Sequence, residues 1–153
     1  MKTDLLSKSG LFYLKAFILT TLFLIALMCL CYAEIDMEAI KYIESRGNPL
    51  AYNKHSQAMG LYQITPICLK DYNQQNRQNL GVEALFSPSE CHRVAKWYLG
   101  ARIPLILQNW GIPITVDNLL WAYNAGPGMV RKGIMPEETR NYISKYHKLA
   151  RLQ

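Results

Sequence analysis

Ser87-Pro88-Ser89-Glu90-Cys91-His92-Arg93-Val94-Ala95-Lys96-Trp97-Tyr98-Leu99 reads as the start of a helix and then as its body. Ser87 can cap, Pro88 suits the first helical position, and Glu90 can reach back to complete a capping box. Val94, Ala95, Tyr98, Leu99 and Arg102–Ile103 then recur at helical spacing. Pro104 lacks a donor N–H and should kink or end the helix there. The same grammar continues on both sides. Upstream, Asp36 can cap a helix running to Arg46, with Ile40 and Ile43 on one face and Gly47 as its stop. A second helix should start near Pro66 and end by Asn73, leaving 74–86 mostly loop. Downstream, Thr115 caps a helix through Leu119, Leu120 and Ala122 to Asn124, and Ala125-Gly126-Pro127-Gly128 stops it. Pro136 opens a last helix, with Glu137 and Glu138 in its first turn near the positive end of the dipole. Tyr142, Ile143, Tyr146 and Leu149 form that helix's apolar face. The stretch 51–65 fits none of this and reads as a short hairpin or tight loop. The expectation is one mainly α domain with a small irregular, β-like insert.

The chain has 153 residues, and its N-terminus reads differently from the rest. Lys2, Lys8 and Lys15 precede an apolar run from Ala16 to about Met28, and Cys31-Tyr32-Ala33 sets small residues where signal peptidase needs them. Residues 1–33 are therefore read as a secretory leader, and 34–153 as the working domain. The alternative is an uncleaved anchor, because Ala16–Ala33 is 18 residues, close to the ~17–25 that span a bilayer. Either way the domain is expected outside the cytoplasm, in the periplasm or cell envelope, free or held at the inner membrane.

The leader holds three Lys and one Asp, so its removal lowers the formal charge from +6 to +4. A mild positive excess suits a polyanionic partner without naming one. Nucleic acid fits poorly, since an exported chain with no basic stripe has little use for it. A cell wall with carboxylate-bearing peptide stems fits better. Of the four cysteines, Cys68 and Cys91 remain after the leader, and an even pair in an oxidising compartment suggests a disulfide. Such a bridge would contribute roughly 3 kcal/mol. His55, His92 and His147 have no metal-ligand spacing, so neither metal nor cofactor is expected.

Four segments carry the chemistry: Glu44-Ser45-Arg46-Gly47-Asn48-Pro49, Gly60-Leu61-Tyr62-Gln63-Ile64-Thr65-Pro66, Ala122-Tyr123-Asn124-Ala125-Gly126-Pro127-Gly128, and Glu138-Thr139-Arg140-Asn141-Tyr142. In this order and spacing they resemble the soluble lytic transglycosylase domain, related to goose-type lysozyme. The resemblance covers nearly all of 34–153. It implies a small lysozyme-like helical fold and cleavage of peptidoglycan between MurNAc and GlcNAc, with a 1,6-anhydro end as product. Glu44 corresponds to the family's lone catalytic acid. A carboxyl at the end of a helix, where packed wall meets loop, is desolvated and keeps its proton more tightly, as general-acid work requires. Glycoside cleavage usually takes two carboxylates. No other acid here announces itself as a nucleophile, but the substrate's N-acetyl group can take that part.

By the same resemblance Gly60 would let backbone approach the glycan and Gln63 would hydrogen-bond a sugar. Tyr123 and Asn124 would line the cleft, and Glu138 and Tyr142 would help position substrate. The sequence also departs from the family. Where Ser-x-x-Gly-Ala is usual, Lys54-His55-Ser56-Gln57-Ala58 stands, and Tyr62 replaces the usual Met before Gln63. Two other readings stay open: a hydrolytic muramidase on the same scaffold, and a catalytically idle wall-binding protein. The small size suggests a monomer that opens wall locally for a secretion, pilus or conjugation apparatus.

Overall fold

The computed structural model describes Tyr13, Lys15, Phe17, Ile18, Thr20 and residues 35–151. The chain divides into two units, 1–33 and 34–153. Most of the first, including the cleavage site and most of the apolar run read as a leader, lies outside the described residues. Among the described residues no helix is long and apolar enough to cross a membrane.

The second unit contains seven α-helices among its described residues: α1 (Met37–Ser45), α2 (Pro66–Asn76), α3 (Pro88–Trp97), α4 (Ile103–Asn109), α5 (Val116–Ala125), α6 (Pro127–Lys132) and α7 (Glu137–Ala150). The expected mainly α fold is what forms. Side-chain caps set three of the seven starts. Asp36 Oδ1 accepts from the backbone N–H of Glu38 and Ala39, Thr65 caps the N–H of Cys68, and Thr115 caps that of Asn118. Each satisfies a donor that a helix leaves open.

The departures have physical reasons. Helix α1 ends at Ser45, and Arg46 itself takes the left-handed cap, with φ of 54°. Helix α2 runs three residues beyond Asn73, to Asn76, and Val82–Phe86 forms a 3₁₀ turn where loop was expected. The capping box of α3 does not form: Ser87 makes no cap hydrogen bond, and Glu90 pairs with Arg93 one turn on. Pro104 does not end the helical run. The chain widens into a π turn over Tyr98–Arg102 and resumes as α4. An extra residue per turn accommodates a ring that would otherwise meet the preceding turn's carbonyl. Ala125-Gly126-Pro127-Gly128 is likewise a break between two helices, with Gly126 at φ 88° and Pro127 opening α6.

Helix α5 forms the centre. It packs on α4, α6 and α7, and α7 in turn packs on α1. Ile40, Leu85, Val94, Leu99, Ile103, Leu107 and Leu120 are buried to within 1% of full enclosure. Each such side chain contributes roughly 1.5–3 kcal/mol. The insert carries no strand among the described residues. Its pairing consists of isolated antiparallel bridges, Tyr52 to Met59 and Met59 to Ile64. Met59 and Ile64 exchange two backbone hydrogen bonds at 3.0 Å around the turn Gly60–Gln63.

Candidate functional site

Helices α1 and α7 meet along a cleft of about 480 Å³, lined by Ile43, Glu44, Asn124, Glu137, Glu138, Asn141, Tyr142 and Lys145. This volume lies in the range that small-ligand sites occupy. Glu44 is the last residue but one of α1. The end of that helix is pinned by Ser45, whose hydroxyl donates to the Leu61 carbonyl at 2.8 Å. One residue further along the same turn, the Tyr62 carbonyl accepts from the Tyr123 hydroxyl at 2.6 Å. The turn 60–63 thus anchors both the acid's helix and the aromatic side chain close to the acid.

The electrostatics of Glu44 follow from that burial. Removal from water disfavours the charged form and raises its pKa from 4.5 to about 7. The Tyr142 hydroxyl donates to Glu44 Oε1 at 2.8 Å and opposes the rise, while the Glu138 carboxylate adds to it. Tyr142 keeps its proton far above neutral pH, because burial and the adjacent Glu44 both disfavour its phenolate. Tyr123 is held protonated by the same two causes. Near pH 7, then, a carboxyl group in this cleft can give or take a proton with little energetic penalty.

Asn124 is oriented from behind. Thr139 is the one buried polar side chain of the described core, 1% exposed, and its hydroxyl donates to Asn124 Oδ1 at 2.7 Å. With that oxygen engaged, the amide's two N–H donors are left for the cleft.

Of the residues singled out from sequence, Glu44, Asn124, Glu138 and Tyr142 come together at the cleft. Tyr123 stands behind them, tied to the turn. Gly60 and Gln63 are not among the residues that line the cleft. A Cβ on Gly60 would lie 2.0 Å from the Leu85 carbonyl oxygen and 2.9 Å from Cys91 Sγ, at a φ of 73°. Its close approach is to the protein's own backbone. Gln63 Nε2 donates to the carbonyls of Ala51 and Gly60, so its amide closes the insert. Cys68 and Cys91 are free thiols, and the expected bridge is not formed. Cys91 Sγ faces the Met59 carbonyl, and burial pushes the Cys68 thiol up to about 12, which keeps it protonated and unreactive. Two substitutions against the family pattern also find their places. Gln57 occupies a left-handed conformation (φ 57°) where the family has glycine. The Tyr62 hydroxyl hydrogen-bonds His92 Nδ1 at 2.8 Å.

Sequence reading missed Ile43, Glu137, Asn141, Lys145 and Thr139. A signal was there: 138, 141, 142 and 145 share one face of a helix.

A family model of the transglycosylase SLT domain matches residues 35–145. The chain belongs to this family. The match, the helical fold and the cleft together define a peptidoglycan lytic transglycosylase of the lysozyme-like class. No curated protein and no solved structure gives a match.

Proposed function

We propose that the protein cleaves the β-1,4 bond between MurNAc and GlcNAc with Glu44 as its single general acid and base, leaving a 1,6-anhydro-MurNAc end. The reading rests on one observation above all: a carboxyl group at the cleft wall whose pKa is raised to about 7. Glu44 in its acid form protonates the departing glycosidic oxygen. The acetamido carbonyl of the muramic acid supports the cationic carbon meanwhile, the Asn124 amide holding that group in place. Glu44, now a carboxylate steadied by the Tyr142 hydroxyl, takes the proton of the same sugar's C6 hydroxyl as that oxygen closes on C1. One proton is lent and one returned, so the enzyme ends as it began.

General acid–base groups contribute roughly 10²–10⁴-fold to rate. Glu44→Gln should therefore lower wall digestion by at least about 10²-fold. Mass spectrometry of the fragments released by the full chain should find anhydro ends. Reducing ends in their place would make water the nucleophile and overturn the ring closure. Undiminished digestion by Glu44→Gln would overturn the acid, and absence of digestion by either protein would favour an idle wall-binding role.

The leader-like N-terminus supports export to the periplasm or envelope, which a reporter fusion retained in the cytoplasm would contradict. A monomer of this size would suit local opening of the wall for a secretion, pilus or conjugation apparatus. Deletion is then expected to impair assembly of such a machine and to leave cell shape intact.

A further inference from the structure

Tyr62, which stands where the family has methionine, buries a phenol in the core, with only 1% of the residue exposed. A phenol taken out of water needs a partner for its O–H. His92 on α3 provides it. The Tyr62 hydroxyl lies 2.8 Å from His92 Nδ1, and the two rings meet edge to face at 5.5 Å. Burial pushes the phenol's pKa up to about 12, so at neutral pH it keeps its proton and donates. The neutral imidazole accepts at Nδ1 and carries its own proton on Nε2.

The preceding residue of α3 meets the same turn through its backbone. The N–H groups of Leu61 and Tyr62 point at Cys91 Sγ, and that thiol faces the Met59 carbonyl. The turn is therefore shared out. Its N–H groups face α3, while its carbonyls at 61 and 62 accept from Ser45 of α1 and Tyr123 of α5. Sulfur is a weak acceptor, so the stronger polar tie between the turn and α3 is the Tyr62–His92 hydrogen bond. His92 is not among the residues lining the cleft. Whatever it does for the reaction passes through the turn.

We propose that His92 is a positioning residue: through Tyr62 it fixes the turn 60–63 against α1 and α5, and so sets the placement of Glu44 and Tyr123. The proposal rests on the reading of Glu44 as the catalytic acid. A methionine at 62 would need no such partner, so the tyrosine and the histidine work as a pair. Without their bond the carbonyls of 61 and 62 shift under Ser45 and Tyr123, the end of α1 loosens, and water reaches Glu44. The Glu44 carboxyl then falls back from about 7 toward 4.5, because the burial that raised it is relaxed.

The test follows Glu44 and turnover together in full-length wild type, His92→Leu, His92→Gln, Tyr62→Phe and the double variant Tyr62→Phe/His92→Leu. His92→Leu should lower kcat about tenfold, the size of one well-placed hydrogen bond, and leave KM unchanged. It should also move the Glu44 titration midpoint downward. His92→Gln keeps an acceptor for the phenol and should restore most of both. Tyr62→Phe should reproduce His92→Leu, and the double variant should be no worse than either, since both changes remove the same bond. Should His92→Leu fail to fold, Tyr62→Phe leaves no buried donor behind and carries the same comparison. An unchanged kcat and midpoint, or losses that add in the double variant, would overturn the pairing. So would a loss of stability alone with kcat of the folded protein intact, which is what a purely structural contact gives. A wild type that cleaves no wall would sink the catalytic reading, and the Glu44 midpoint would then decide the positioning by itself: its fall in His92→Leu supports the tie, and its constancy overturns it.

Discussion

On α7, Glu138, Asn141, Tyr142 and Lys145 lie on one helical face and line the cleft. In the turn 60–63, Gly60 packs its Cα on the Leu85 carbonyl and Gln63 gives its amide to Ala51 and Gly60. Both segments carry motif residues of the same family, and sequence alone assigns both to substrate. The structure divides the labour. Helix α7 supplies groups that can meet a ligand. The turn supplies carbonyls, those of Leu61 and Tyr62, that fix Ser45 and Tyr123 and through them the surroundings of Glu44. A motif residue can matter because it touches the ligand or because it holds what does, and only the hydrogen-bond partners tell which.

The sharpest way to break the comparison is to set one residue of each kind against the other in stability. Gly60→Ala should cost about 3 kcal/mol or more, since its Cβ collides with backbone at a positive φ, and any loss of activity should follow the loss of fold. Glu44→Gln should do the reverse. The folded protein holds the Glu44 proton up to about pH 7, whereas the unfolded chain releases it near 4.5. The stability this proton brings is present at low pH and is lost as pH rises through that window. A neutral amide escapes the loss, so Glu44→Gln should gain up to about 3 kcal/mol on wild type between pH 4 and pH 8. Denaturant melts at the two pH values would show it; parallel curves for the two proteins would contradict it.

A smaller effect is expected for Tyr142→Phe. Without the donated hydrogen bond Glu44's carboxylate is less favoured, and the acid form persists to higher pH. The alkaline limb of kcat/KM should move upward while kcat falls about tenfold, the worth of one hydrogen bond to a charged group. A limb that moves downward would mean that Tyr142 does not stabilise the carboxylate. The smallest effect belongs to Gln63→Ala, about 1–2 kcal/mol of stability with KM unchanged. A raised KM with stability intact would put Gln63 back in contact with sugar.

The fold was legible where its signals are local. Asp36, Thr65 and Thr115 cap as their chemistry requires, and Pro66 and Pro127 stand at first helical positions. It was illegible where two local signals compete. Glu90 could serve Ser87 or Arg93 and chose the salt bridge, and helical spacing through Ile103 competes with the break expected at Pro104, which the π turn at Tyr98–Arg102 reconciles. In the site, Glu44 and Asn124, singled out by their motifs, do line the cleft. Thr139 was not singled out, because a buried hydroxyl behind an amide has no sequence signature, and Lys145 drew no reading at all. The paired cysteines misled for a related reason: compartment argued for a bridge, but Cys91 is packed against Gly60 and the Met59 carbonyl instead.

The measurement nearest the central claim is a direct titration of the Glu44 carboxyl by carbon-detected NMR on the full-length, glutamate-labelled protein, assigned by its disappearance in Glu44→Gln. A midpoint close to pH 7, moving upward in Tyr142→Phe, is the expected result. A midpoint near 4.5, unaffected by Tyr142, would mean a carboxylate in ordinary water, without the proton that the reaction needs.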